Sequence, residues 1–253
     1  QLEDNNPGIM GAGFASNYYN GMWLGTLLTI EPEDGYWVVT DGEADLYMEG
    51  IPTDPATVFD LQLHTNLLSY PFAGSAPIQE TIPADAQSSI YAIFGEGMAV
   101  MNSEDGWVGA LTNLSGKEGY WFLTTEAVSF SYNPPQEGTA RQASFVRPVP
   151  IEYSFKQSTQ QAFYFVNSAT IDGEPLDKED LIIAYNGDVI VGSRYWYGET
   201  TDVPTMGSDG SDIFAGYCSV GDQVNFKVFD SSANTLIDMG VDGETTWQNM
   251  GLS

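Results

Sequence analysis

Trp23-Leu24-Gly25 leading to Gly35-Tyr36-Trp37 returns 84 positions later as Trp107-Val108-Gly109 leading to Gly119-Tyr120-Trp121. The shared offset extends to Gly13 and Ala15 against Gly97 and Ala99, and to Ala44, Leu46 and Met48 against Val128, Phe130 and Tyr132. That last trio alternates with polar neighbours in both copies, the pattern of a strand with one buried face. The second copy has a front half that the first lacks. The first copy therefore starts in the middle of a structural unit, and an uncovered apolar sheet face or unpaired edge invites a completing strand, from the C-terminal module of the same chain, from the neighbouring full module or from another subunit.

The complete copy begins near Leu61. Leu61-Gln62-Leu63 and Leu67-Leu68-Ser69-Tyr70-Pro71-Phe72 read as strands joined across His64-Thr65-Asn66. Ile78, Ile82, Ala86, Ile90 and Ile93 recur at helical spacing and predict a helix from Ala84 to Phe94, with Asp85 near its start and Gly95-Glu96-Gly97 ending it. Strands are expected at Met98–Met101, Trp107–Leu114, Tyr120–Thr124 and Val128–Tyr132, separated by Gly-containing turn clusters. The first copy has counterparts only for the later strands, from Gly11 to Glu49.

Composition narrows the function classes. Thirty-five acidic against seven basic residues give a net charge of −28, which argues against nucleic acid and anionic membranes as partners because like charge repels. The same charge repels other copies of the chain, so assembly would need concentrated salt, where the Debye length falls to ~3 Å near 1 M, or divalent cations. No apolar run approaches the ~20 residues that span a bilayer. A chain that opens at Gln1 with no initiator methionine reads as a processed, secreted protein. Cys218 is the single cysteine, so it excludes an intramolecular disulfide and a thiolate metal cluster, and it is expected in a strand-packed core.

Pro134-Pro135-Gln136-Glu137-Gly138, Pro148 and Pro150 mark a boundary. The expected organisation is an incomplete repeat module at 1–52, a complete one at 53–133, a linker at 134–147 and a C-terminal β-sandwich at 148–253. In that last part Ile151–Phe155, Ala162–Val166, Leu181–Tyr185, Val189–Val191 and Val224–Phe229 read as strands, and Asn186-Gly187-Asp188 reads as a hairpin turn. The fold class expected overall is mainly β: tandem small modules, one with a short helix, followed by a sandwich.

Three elements carry a resemblance: Gln161-Ala162-Phe163-Tyr164-Phe165, Gly187-Asp188-Val189-Ile190-Val191-Gly192, and Gly221-Asp222-Gln223-Val224-Asn225-Phe226-Lys227-Val228. This portion resembles a recurring module of large secreted proteins from marine bacteria, and the Trp-x-Gly and Gly-Tyr-Trp repeat resembles companion modules of the same proteins. The resemblance implies an extracellular or cell-surface β-module without established chemistry. The chain departs from it by being short and by carrying no recognisable sorting domain.

Catalytic equipment is not visible. A nucleophile–base–orienter triad needs a histidine or equivalent base, and His64 is the single histidine, in a turn with no nucleophile elbow in the chain. Zinc ligation by His and Cys is unsupported with one of each in different modules. Close carboxylate pairs arise from density alone, and Gly11-Ala12-Gly13 is not a phosphate loop. Calcium is the one cofactor that the acidic loops suggest, at Asp202, Asp209 and Asp212 and at Asp172, Glu174, Asp177 and Asp180, although neither cluster has the EF-hand pattern. Tyr195-Trp196-Tyr197 could stack on sugar if exposed, whereas Trp23, Trp37, Trp107 and Trp121 recur at fixed register, as core or interface residues do.

These readings point away from an enzyme and toward a secreted structural subunit that joins an extracellular filament or surface layer, a homopolymer built by strand complementation. The expected interface residues are Trp23, Trp37, Leu46 and Met48 on the acceptor side. The donor is expected at 245–253, through Trp247 and Met250, with Gln1–Met10 as a second candidate. The alternative is a monomeric binding or adhesion module for glycan or a surface protein.

Overall fold

The computed structural model describes residues 2–47, 49–135 and 143–253. The chain is mainly β and divides into two compact units. The first comprises 1–95, 101–107 and 111–144, the second 96–100, 108–110 and 145–253. Both copies of the repeat fall largely in the first unit, with the base of one hairpin of the second copy counted in the second unit.

The first copy forms β1 (Gly8–Met10), β2 (Ala15–Tyr19), β3 (Met22–Gly25) and β4 (Trp37–Val39). The complete copy follows with β5 (Phe59–Leu61), β6 (His64–Ser69), β7 (Ser75–Pro77), α1 (Ile78–Thr81), α2 (Ala84–Gln87), β8 (Ile90–Phe94), β9 (Ala99–Ser103), β10 (Gly106–Gly109), β11 (Asn113–Ser115), β12 (Gly119–Thr124) and β13 (Val128–Phe130). One sheet runs β3-β2-β1-β4 and the other β10-β9-β8-β12-β6. With the offset of 84 the two orders coincide, except that β6 extends the second sheet where the first ends at β4.

The repeated residues explain the repeated path. Gly25 and Gly109 both have positive φ, +154° and +138°, and a Cβ there would sit 2.1 Å from the Ala15 carbonyl oxygen or 2.3 Å from that of Ala99. Only glycine allows the hairpin arms to close this tightly. The Ser115 N–H donates to the Tyr120 hydroxyl at 2.8 Å, and that hydroxyl donates to Glu118 Oε2 at 2.5 Å. In the first copy the Glu31 N–H donates to Tyr36 Oη at 2.9 Å, which in turn donates to Asp34 Oδ2 at 3.4 Å. An acid-Gly-Tyr-Trp string thus ties down the loop before the last sheet strand in both copies.

Three sequence expectations are corrected here. The expected Ala84–Phe94 helix is a single turn, Ala84–Gln87, with another turn at Ile78–Thr81 before Pro83, and Ile90–Phe94 is the central strand β8 instead. Ile90, Ala92, Ile93 and Phe94 are buried and Tyr91 is exposed, so isoleucines at helical spacing fall on a strand that buries side chains on both faces. The expected turn at His64-Thr65-Asn66 lies earlier: His64, with φ 82°, opens β6, and the Asn66 side chain braces Gln62 from both sides, accepting from its N–H and donating to its carbonyl. Residues 44–47 form no strand: among the described residues nothing pairs with them as β5 pairs with β13.

The second unit contains β14 (Gln161–Val166), β15 (Thr170–Ile171), β16 (Glu174–Pro175), β17 (Leu181–Asn186), β18 (Val189–Tyr195), β19 (Thr201–Met206), β20 (Asn225–Asp230) and β21 (Thr235–Asp238). A sheet β18-β17-β20-β21 and the pair β14-β19 form a sandwich. Strand β17 alternates between two apolar clusters. Ile182 and Ala184 join Tyr164, Val203, Phe226, Val228 and Trp247, while Leu181, Ile183 and Tyr185 pack with Tyr153 and Phe229. The β17–β18 hairpin turns through Gly187-Asp188, with Gly187 at φ 59°. Ile151–Tyr153 is a short 3-10 helix after Pro150, where the sequence suggested a strand.

Candidate assembly surface

The two copies share a backbone and differ in burial. Ile30, Val39 and Leu46 are 55%, 47% and 50% exposed, whereas their counterparts Leu114, Leu123 and Phe130 are 0%, 1% and 6% exposed. Phe14, Tyr19, Met22 and Leu24 add to the uncovered apolar surface of the first copy. Large exposed apolar side chains are concentrated in this copy.

The second copy shows how the equivalent positions are covered there. β5 pairs with β13, β6 with β12 and β7 with β11, so one stretch of chain supplies three strands to three acceptors. It also supplies Ile78, Ile82 and Ala86 to the core. Phe59 and Tyr70 from this stretch meet Phe122, Phe130 and Tyr132 in an aromatic cluster, with centroids as close as 4.8 Å between Phe59 and Tyr132. Burial holds the Tyr132 and Tyr120 hydroxyls well above the usual phenol range, with the Glu118 carboxylate adding to the shift at Tyr120.

The first copy receives partial completion from its own chain. The outer edge of β6 meets residues 33–35: the Gly35 N–H donates to the Leu67 carbonyl at 3.0 Å and the Ser69 N–H to that of Glu33 at 3.1 Å. From Trp37 onward the sheet ends at β4.

Each expected interface residue can be placed. Trp23 is exposed, with its ring 5.4 Å from that of Tyr18, while its counterpart Trp107 is half-buried and donates from Nε1 to Gln87 Oε1 of α2. Trp37 is half-buried, Leu46 is exposed, and Met48 lies outside the described residues. Both donor expectations are corrected. Trp247 is buried in its own sandwich, donating from Nε1 to the Thr205 carbonyl at 3.2 Å. Met250 and Gly251–Ser253 run along β14, with Leu252 bridging Phe163 in parallel. At the other end Gly8–Met10 is β1, an inner strand of the first sheet, and Gln1 lies outside the described residues. Neither terminal segment can leave without opening its own unit.

The acidic clusters resolve differently from the calcium expectation. Asp202 is buried against Arg194 at 3.3 Å, and its two oxygens accept the Ala99 and Ala110 N–H groups at 3.0 Å each. Arg194 donates further to the Gly97 and Asp202 carbonyls. Burial pushes the Asp202 carboxyl up, opposed by Arg194 and the two amides. Asp180 is also buried and saturated, accepting from Ser231 and from the Asp177 N–H. Asp172, Glu174, Asp177, Asp209 and Asp212 are exposed, Asp209 accepting the Ser211 N–H in a local turn. Among the described residues no three His, Cys, Asp or Glu side chains converge to hold a metal. The sequence reading missed the Asp202 clamp, because a lone acid in a strand resembles every other acid of so acidic a chain.

The remaining candidates are placed as follows. Trp196 is buried, and Tyr195 carries the Arg147 guanidinium over its ring at 3.9 Å, so this trio offers no exposed stacking platform. Cys218 is buried, and burial, with Asp222 nearby, pushes its thiol up to about 12. His64 is exposed. In the second unit a cleft of about 860 Å³ is lined by Tyr164, Asn167, Asp172, Phe226, Asp238 and Glu244 among others. No described helix is long and apolar enough to cross a membrane.

No family model, curated protein or solved structure matches the chain.

Proposed function

We propose that this protein is a secreted structural subunit that joins copies of itself or companion proteins into an extracellular filament or surface layer. The observation that carries this reading is the first repeat copy, which reproduces the strand order of the second and leaves exposed the positions that the second buries. Apolar side chains held on an ordered sheet are costly in water and gain from a partner. The resemblance to surface modules of marine bacteria and the acidic, salt-tolerant composition point the same way. Electron microscopy of the purified protein in dilute buffer and in 1 M salt tests it. Ordered polymers in salt support the reading, and dispersed monomers across both conditions remove it.

A second reading, a monomeric binding module for glycan or a surface protein, draws on the cleft of the second unit, where carboxylates and amides line a concave surface beside Tyr164 and Phe226.

A further inference from the structure

We infer that Thr246 and Gln223 are poised to join through a side-chain ester, with Glu244 as the base and ammonia as the leaving group. The inference goes beyond the assembly reading and stands on the second unit alone.

The backbone sets the pair. Gln223 and Thr246 face one another in an isolated antiparallel bridge. The Val224 N–H donates to the Thr245 carbonyl at 2.9 Å and the Trp247 N–H to that of Asp222 at 2.7 Å, one residue to either side. Gln223 and Thr246 are thus a non-hydrogen-bonded pair, the arrangement in which opposed side chains come closest. Val224 and Trp247, both buried, hold the two segments against the sandwich core.

The side chains fall into the roles of an acyl transfer. Gln223 Nε2 donates to Thr246 Oγ1 at 2.6 Å, so the hydroxyl oxygen lies against the amide carbon bonded to that nitrogen. The Thr246 hydroxyl donates to Glu244 Oε1, which also accepts the Thr246 N–H at 2.9 Å. These two bonds hold the Glu244 carboxyl below the usual carboxylate range, so it is ionised at neutral pH. Thr245 Oγ1 donates to Gln223 Oε1 at 3.1 Å, where negative charge gathers during attack. Holding both reactants in one geometry makes the encounter intramolecular.

In the step, Glu244 takes the hydroxyl proton as Thr246 Oγ1 attacks Gln223 Cδ. The Cδ–Nε2 bond breaks, Glu244 returns the proton to the departing nitrogen, and ammonia leaves. The ester staples residues 223 and 246 and needs no oxidant or added reagent.

Trypsin cuts after Arg194 and Lys227, and so separates Gln223 from Thr246 in a chain without the ester. The test incubates the full protein at pH 8, digests it briefly with trypsin and reads the peptides by mass spectrometry. The expected result is a joined species of 195–227 and 228–253, about 17 Da lighter than the sum of the two peptides and split by hydroxylamine. Thr246→Ala should give separate peptides at full mass, and Thr246→Ser should restore the link. Glu244→Gln should slow its formation by about tenfold or more. Glu244 is exposed and Thr246 half-buried, so these variants are expected to fold. Separate peptides at full mass from the wild type overturn the inference. So does a link that persists in Thr246→Ala, or one that forms at an unchanged rate in Glu244→Gln. Conversion of Gln223 to glutamate without a link would mean that water takes the acyl group, and overturns the ester as well.

Discussion

The two copies of the repeat are a comparison made within one chain: the same strands in the same order, one set buried and one bare. Gly25 and Gly109, and the Tyr36 and Tyr120 clasps, are local devices, and they work equally well in both copies. Burial in the second copy comes from the separate segment at 59–88, which among the described residues reaches the first copy only along residues 32–35. Backbone path and core formation are therefore separable here. The path follows from turn glycines and loop-anchoring tyrosines, the core from a partner strand and helix.

The largest effect expected is at the clamp of the second unit. Asp202→Ala leaves Arg194 buried without its counter-charge and two amides without an acceptor, and should cost about 3–5 kcal/mol in urea denaturation. At the equivalent place in the first copy, Thr26 donates its own N–H to the Ala15 carbonyl, and its hydroxyl accepts the Ala15 N–H at 3.4 Å. Thr26→Ala should cost about 1 kcal/mol or less. Equal losses at the two sites would break the comparison.

Next comes the core. Phe130→Ala removes a ring from the aromatic cluster and should cost about 3–5 kcal/mol, while Leu46→Ala at the equivalent exposed position should stay within about 0.5 kcal/mol. A large loss at Leu46 would mean that its side chain is already covered. The glycines sharpen the point from the other side. Gly25→Ala and Gly109→Ala should each cost about 1–3 kcal/mol, because the strain is local and common to both copies.

Titration gives the smallest difference near neutral pH and the plainest sign. Tyr132, Tyr120 and Tyr164 are held neutral by burial, so their folded pKa values exceed the ~10 of an unfolded tyrosine. A neutral-state preference of this kind leaves stability intact below pH ~10 and lost above it, as the unfolded chain ionises first. Cys218 acts in the same sense from ~8.5 toward about 12. Thermal melts should thus decline steeply above pH 9, and Cys218 should resist alkylation at pH 8 until the second unit unfolds.

Much of this was legible in the residues. The 84-residue register, the alternation in β17 and the turn around Gly187 yielded the repeat, the sandwich and most strands, because each is a local pattern. What escaped were features that depend on partners distant in sequence. Ile90–Phe94 imitated a helix because the consecutive burial of Ala92, Ile93 and Phe94 erases the alternation of a strand. Trp247 passed for a donor, since the sequence cannot show that Thr205 receives its indole N–H within the same sandwich. Asp202 had no distinguishing neighbour. The Tyr36 and Tyr120 clasps could have been found: an acid stands two residues before each tyrosine, at Asp34 and Glu118.

Hydrogen–deuterium exchange followed by mass spectrometry, on the protein in dilute buffer and after transfer to 1 M salt, addresses the first copy most directly. The account predicts that amides in 29–31 and 44–47, and those of 37–40 that face away from β1, exchange fast in the dispersed protein and slow markedly on assembly, while 113–115, 119–124 and 128–130 stay protected throughout. Assembly that leaves the first set unprotected, or full protection of that set in the dispersed monomer, would contradict it.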